Sequence, residues 1–390
     1  MKKIFVAVLF LFVFPICVLA RDFDVTSHHI VLFNMLDDTL LYEELADEKV
    51  SIASLTKIMT TVVALENVKD LEEIITIKEE DFNGTVGYSE AGFKIGDKVT
   101  VMDLLYGVML PSGADAVNAI VRKVSGNQEN FVNLMNDLAK KIALKNTHFQ
   151  NPIGKDHEDN YSTANDVARL LKYALQNDVF KKIFTTKYYK VPSNGLELRS
   201  TLSHYSMLDT SIIMGSKSGF TKGAGRCLAS ISEINGVDYL LVVIKSLVDK
   251  NYNAVKDTLT IYDYYSKNYS YQTLLSPSKV IASLPVKWGK RKNYEVKLDK
   301  SITKYLKNGT AENLSISFDG VDEITAKMSE GEKLGVVSVY HEEELLYQTD
   351  VFLDTTLDFY HPVLYLFLVV IVFFLVLVRR LKKKKKAHKK

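Results

Sequence analysis

A chain of 390 residues with 47% hydrophobic and 25% charged side chains is long enough for two folded domains with segments to spare, and too apolar to be a disordered polymer. Its formal net charge of +2 hides a division, because nine of the 49 Lys and Arg follow the last apolar run and two precede the first, leaving 38 against 47 acidic residues between them. That body, at about −9, excludes a nucleic-acid partner.

In chain order, Lys2 and Lys3 lead into an apolar run from Ile4 to Leu19 and the small residue Ala20, the layout of a secretory signal over residues 1–20. Cys17 is not a lipidation site, since bulky Ile16 precedes it. Cleavage after Ala20 leaves Cys227 as the lone thiol, so the exported body has no internal disulfide and depends on core packing. Ile30 to Asn34 and Thr39 to Tyr42, separated by Leu36-Asp37-Asp38, predict a β-hairpin. From Ser54 onward Leu55, Ile58, Met59, Val62, Val63 and Leu65 recur at helical spacing. Further helices are predicted at Val101 to Leu110, Ala114 to Val124, Asn130 to Leu144 and Thr163 to Leu175, then strands at Gly225 to Ile231 and Tyr239 to Ile244, and a helix at Asn253 to Tyr265. Strands at both ends with helices between imply a mixed α and β domain over residues 21–270.

The texture then changes. Tyr262, Tyr264, Tyr265, Tyr269 and Tyr271 suit packing at a domain junction better than sugar stacking. Short alternating segments from Val280 to Val351, punctuated by Asn308-Gly309, Asp319-Gly320 and Glu330-Gly331, predict a small β-sandwich over residues 271–356. Phe359 to Val378 is almost wholly apolar and, as a helix, spans ~30 Å, enough to cross the hydrocarbon layer. The basic run over residues 379–390 marks the cytoplasmic side, so the body is expected outside the cell membrane. It also offers a secondary contact to anionic lipid.

Three segments carry candidate chemistry. Ser54-Leu55-Thr56-Lys57 places a hydroxyl and an amine one helical turn apart, at a helix N-terminus whose N–H groups and dipole suit a developing oxyanion. A serine needs a base, and an ammonium becomes one only when burial or neighbouring cations lower its pKa. Taken singly, S-x-x-K also describes a helix cap beside a surface lysine. Ser112, in the turn between two helical patterns, presents a second hydroxyl. In Lys217-Ser218-Gly219-Phe220-Thr221, a cation and hydroxyls alternate with glycine; on an edge strand they would line a peptide whose terminal carboxylate needs a cation.

Together with Asn146-Thr147-His148-Phe149, Asn151-Pro152, Gly154, Tyr161-Ser162-Thr163-Ala164, Ala224-Gly225 and Cys227-Leu228, these motifs resemble the low-molecular-mass penicillin-binding proteins, the serine D-alanyl-D-alanine carboxypeptidases. The resemblance covers residues 28 to 265 strongly and the β-rich region more weakly. It implies an α+β domain of serine β-lactamase/transpeptidase type, a sheet with a helical cluster, followed by the β-sandwich and a C-terminal transmembrane helix. It further implies Ser54 as nucleophile, Lys57 as its general base and Ser112 as proton relay to the leaving D-alanine. Lys217 would grip the terminal carboxylate, aided by Ser218 and Thr221, with the N–H groups of Ser54 and Phe220 as oxyanion hole and Gly219 leaving room for the substrate. The expected partners are peptidoglycan stem peptides and β-lactam antibiotics, with no metal and no organic cofactor.

Two positions depart from the family pattern. Ser218 stands where Thr is commoner, which keeps the hydroxyl. Ala114 stands where Asn is usual, and losing that amide at a reacting centre costs ~1–3 kcal/mol unless Asp115 or Asn118 replaces it. Two other readings compete: a β-lactamase using Glu158 to hold a deacylating water, and a catalytically impaired wall-binding homologue. A metallopeptidase does not fit, because His28, His29, His148, His157 and His204 lack H-E-x-x-H spacing.

Overall fold

The computed structural model describes residues 22–358 and 362–387. The expected signal, 1–20, the first residues of the expected span, 359–361, and the end of the tail, 388–390, lie outside them. The chain divides into two compact units between Ser266 and Lys267.

In the first unit β1 (His29–Asn34) and β2 (Thr39–Glu44) form the expected hairpin. Helix α1 (Thr56–Asn67) follows, then β3 (Ile74–Thr76) paired with β4 (Lys98–Thr100), and α2 (Val101–Met109), α3 (Ala114–Ser125), α4 (Gln128–Lys141), α5 (Ala164–Ala174) and α6 (Asp178–Thr185). A ribbon of β5 (Tyr188–Lys190) and β6 (Glu197–Arg199) precedes the strands β7 (Gly215–Thr221), β8 (Gly225–Ile234) and β9 (Val237–Ser246), and α7 (Asn253–Asn268) ends the unit. The sheet runs β2-β1-β9-β8-β7 and is antiparallel throughout, which makes β7 an edge strand.

The caps explain where the helices start. Thr100 and Asp103 close a reciprocal capping box on α2, and the Thr163 hydroxyl accepts from the Asp166 N–H at the start of α5. Asn235 and Gly236, at φ of 55° and 75°, make the tight turn from β8 to β9.

Both faces of the sheet are covered. Val31, Leu240, Val242 and Ile244 join the core shared with α1 to α5, while Tyr239 packs on Tyr262 of α7 with ring centroids 5.9 Å apart. Burial on both faces is why β1 and β9 read as continuous apolar runs rather than alternating ones. The two ribbons and α6 have no counterpart in the sequence reading, because three-residue strands and an eight-residue helix are too short to declare a period.

In the second unit β10 (Tyr269–Leu275) pairs with β13 (Ile302–Lys307), and β11 (Ala282–Lys287) lies between β12 (Asn293–Val296) and β15 (Ile324–Thr325). The third sheet has the order β14 (Leu314–Gly320), β16 (Lys333–His341), β17 (Glu344–Phe352). Leu275, Leu284, Val296, Ile324, Val337, Val339 and Leu353 form its common core. The tyrosine-rich stretch is divided between elements: Tyr262 and Tyr265 are buried on α7, whereas Tyr269 and Tyr271 stand on β10 against Tyr305. Helix α8 (Pro362–Ala387) is long and apolar enough to cross a membrane, and it continues past the expected span into the basic run.

Candidate active site

Ser54 lies in a single 3₁₀ turn, Ala53–Leu55, that runs directly into α1, so the helix proper begins two residues later than its apolar pattern. Ala53 has φ of 48°, a left-handed conformation for a residue with a side chain, and such strain next to a reactive group is held in place by its surroundings. Gly154 and Gly219 supply that hold. A Cβ on Gly154, which itself has φ of 90°, would lie 2.0 Å from the Ala53 carbonyl oxygen, and one on Gly219 would lie 3.0 Å from the Ser54 nitrogen. Two glycine backbones therefore press on the turn, Gly154 at a distance that no Cβ could occupy and Gly219 at one that leaves a Cβ little room.

The Lys57 ammonium nitrogen is 2.9 Å from Ser54 Oγ and 2.8 Å from the Ile153 carbonyl oxygen, with the side chain only 1% exposed. Burial, above all, holds the Lys57 pKa well below the ordinary lysine range; the nearby Lys217 charge lowers it further, and Asp115 opposes the shift. On the edge strand, Lys217 Nζ donates to Ser112 Oγ at 2.9 Å and to the Ser218 carbonyl at 2.8 Å. Burial pulls its pKa down to about 7. Ser112 has φ of 67°, a second strained residue, in the turn between α2 and α3. The three sequence segments thus converge, and each lysine meets one serine hydroxyl.

Ser54, Ser112, Ser218, Gly219, Phe220 and Thr221 line one cleft of about 630 Å3. Phe220 is half exposed and carries the Arg226 guanidinium over its ring at 4.6 Å. Ser218 Oγ is 2.7 Å from Thr201 Oγ1. The Thr221 hydroxyl donates to Asp156 at 2.6 Å and accepts from the Ala224 N–H, so its hydrogen is already committed.

Several residues of the site escaped the sequence reading. Asp156, an exposed loop residue, lines the cleft and accepts from the Ser51 hydroxyl, the Thr221 hydroxyl and the Gly223 N–H. These bonds lower its pKa against the opposing effect of burial. Glu158 itself is exposed and lines no part of the cleft. The Ile153 carbonyl was equally invisible, because a main-chain acceptor leaves no residue-type signal. The segment Asn151-Pro152-Ile153-Gly154 did carry one, its Asn-Pro and Gly marking a special backbone.

Ala114 is fully buried, and neither suggested substitute replaces the missing amide. The Asp115 carboxylate accepts from the N–H groups of Ala91 and Gly92, and the Asn118 amide donates to the carbonyls of Asp81 and Asn83. The second polar partner of Lys57 is the Ile153 carbonyl instead.

Residues 18–247 match the D-alanyl-D-alanine carboxypeptidase family, and residues 269–358 match the penicillin-binding protein 5 C-terminal domain. The chain belongs to the D-alanyl-D-alanine carboxypeptidase family. It is 28% identical over 326 residues to D-alanyl-D-alanine carboxypeptidase DacF of Bacillus subtilis, covering 80% of this chain and 81% of that one. To DacC of Escherichia coli it is 30% identical over 319 residues, covering 79% and 78%. Among solved structures, penicillin binding protein 5 from Haemophilus influenzae superposes with a TM-score of 0.63 at 22% identity, over 87% of this chain and 99% of that one. The Streptomyces K15 DD-transpeptidase superposes with a TM-score of 0.56 at 30% identity, over 62% and 97%.

The glycine clamp generates a direct test. Gly154→Ala should displace the Ser54 turn by a large fraction of an ångström, and misplacement on that scale lowers rate by ~100-fold. Stopped-flow acylation by a fluorescent penicillin measures the loss, and circular dichroism should show the fold retained; unchanged acylation would mean that the turn is not held by this contact.

Proposed function

We propose that Ser54 attacks the carbonyl of the penultimate D-alanine in a peptidoglycan stem peptide while neutral Lys57 takes the hydroxyl proton. The observation that carries this reading is the 2.9 Å contact between Ser54 Oγ and a buried lysine amine whose pKa is driven down. The positive end of the first turn and the N–H groups of Ser54 and Phe220 would stabilise the oxyanion. As the tetrahedral species collapses, the C–N bond breaks and the leaving D-alanine nitrogen receives, through the hydroxyl of Ser112 that Lys217 holds in place, the proton Lys57 took from Ser54, so that Lys57 is neutral again. Water then attacks the ester, with Lys57 again accepting a proton, and Ser54 is restored.

Lys217 and Ser218 supply the cation and hydroxyl for the terminal carboxylate. Thr221 reaches that carboxylate only by exchanging its bond to Asp156. A β-lactam offers the same amide and carboxylate, but its leaving group stays tethered, so the acyl-enzyme persists. The domain reading is kept as part of this proposal: a signal over 1–20, catalytic domain 21–270, β domain 271–356, span 359–378 and basic tail 379–390. In it the catalytic unit faces outward and the tail is cytoplasmic, consistent with the basic residues that follow the apolar run.

The experiment is D-alanine release from a pentapeptide ending in D-Ala-D-Ala. Wild type should release it and form one covalent penicillin adduct at Ser54; Ser54→Ala should do neither. Rapid turnover of a chromogenic cephalosporin would favour a β-lactamase, and absence of any adduct would favour a wall-binding role.

The two lysines also set a pH dependence. Lys57 must be neutral, so kcat/KM should fall as pH drops through its depressed pKa. Lys217 must be charged, so kcat/KM should fall again on the alkaline side, with an onset well below the ordinary lysine range. Lys217→Arg, whose guanidinium does not deprotonate, should remove the alkaline limb while preserving the acid limb. An unchanged alkaline limb would assign it to another group.

A further inference from the structure

The turn joining β11 to β12 is not used by any step above. It contains Trp288, the sole tryptophan of the chain, 58% exposed, amid Lys287, Lys290, Arg291 and Lys292. Trp288 has φ of 60°, a conformation in which a large side chain is seldom found and for which Gly or Asn is the usual choice. Next to it, a Cβ on Gly289 would lie 2.5 Å from Val286 Cγ1, so the turn is tightly folded around its glycine while the indole is turned outward. An exposed indole on a strained backbone, with cationic residues on both sides of it in the chain, is an arrangement whose strain the surrounding turn must maintain.

The position of the turn says what it faces. The Lys290 N–H donates to the Asp358 carbonyl oxygen at 2.9 Å, and Lys290 Nζ lies 3.6 Å from the Asp358 carboxylate. Asp358 immediately precedes the apolar stretch, and four residues of chain reach at most about 14 Å to the start of α8 at Pro362. The turn is therefore held at the level where the chain enters the bilayer. Tryptophan concentrates at that level because its ring is apolar and its N–H is polar, and lysine and arginine there meet anionic headgroups. Lys287 is paired with Glu323 and Lys290 with Asp358, whereas exposed Arg291 and Lys292 have no carboxylate partner among the described residues.

We propose that the Trp288–Lys292 turn is a membrane-interface dock, seating its indole among lipid headgroups and placing Arg291 and Lys292 on anionic phosphates. The dock gives the second unit a second point of attachment beside α8, which would hold that unit upright at the surface rather than leave it swinging on a single helix. This inference rests on the reading of α8 as a membrane span.

Because Trp288 is the sole tryptophan, its fluorescence reports on this turn alone. The full chain is reconstituted into phosphatidylcholine vesicles with and without a minority of phosphatidylglycerol. In the mixed vesicles the emission should move to shorter wavelength, lipids brominated close to the headgroup should quench it, and aqueous acrylamide should quench it several-fold less than in neutral vesicles. Arg291→Glu with Lys292→Glu should erase the difference between the two vesicle types, with circular dichroism unchanged. If acrylamide quenches Trp288 equally in both vesicles and brominated lipid does not, while the chain stays with the vesicles through an alkaline wash, the dock is refuted and the span stands. Release of the chain by the wash refutes both. A spectral shift caused by soluble poly(glycerol phosphate) on neutral vesicles, without lipid quenching, refutes the dock in favour of an anionic wall polymer.

Discussion

Two lysine side chains buried within one cleft cannot both stay charged cheaply, and the rest of the catalytic unit is arranged around how that conflict is settled. Each is about 1% exposed and each touches a serine hydroxyl. Taking an ammonium out of water favours its neutral form, and a neighbouring ammonium favours it again. Lys57 feels both effects, whereas Lys217 is lowered by burial alone, to about 7. In the proposed mechanism one site therefore contains a base and a cation made from the same residue type, with environment choosing between them.

That division requires an exact backbone. The strained residues Ala53 and Ser112 stand at the two serine-bearing turns, and the clamp of Gly154 and Gly219 fixes one of them. Asp156 ties three walls of the cleft together through Ser51, Thr221 and Gly223, so the end of β7, the loop after α4 and the segment before Ser54 share one carboxylate. The absence of an amide at Ala114 is met by the Ile153 carbonyl, which can accept from Lys57 but cannot donate to a substrate.

Much of this was legible beforehand, for identifiable reasons. Ser54, Lys57, Ser112 and Lys217 stand out only as motifs that together resemble the family's, since S-x-x-K by itself also fits a helix cap, whereas the long helices and the β1–β2 hairpin announce themselves through periodicity. The contacts that went unseen are of another kind. Asp156 looks like any acidic loop residue until the fold brings Thr221 to it across 65 positions, and the Ile153 carbonyl has no side-chain signature at all. The β5–β6 ribbon shows no signal because three-residue strands are too short to declare a period. The turn that carries Trp288 gives no signal in the sequence because it is tied, through Lys290, to Asp358, 68 residues further along the chain.

The central claim is that Lys57 becomes an amine while Lys217 still carries its proton. Nuclear magnetic resonance of the chain labelled with carbon-13 at lysine Cε, with Lys57→Arg and Lys217→Arg used to assign the two signals, measures both titrations directly. The account predicts that both midpoints lie well below those of the surface lysines, with Lys57 losing its proton at the lower pH. If Lys57 instead titrates with the surface lysines, no base is present to activate Ser54 and the account fails.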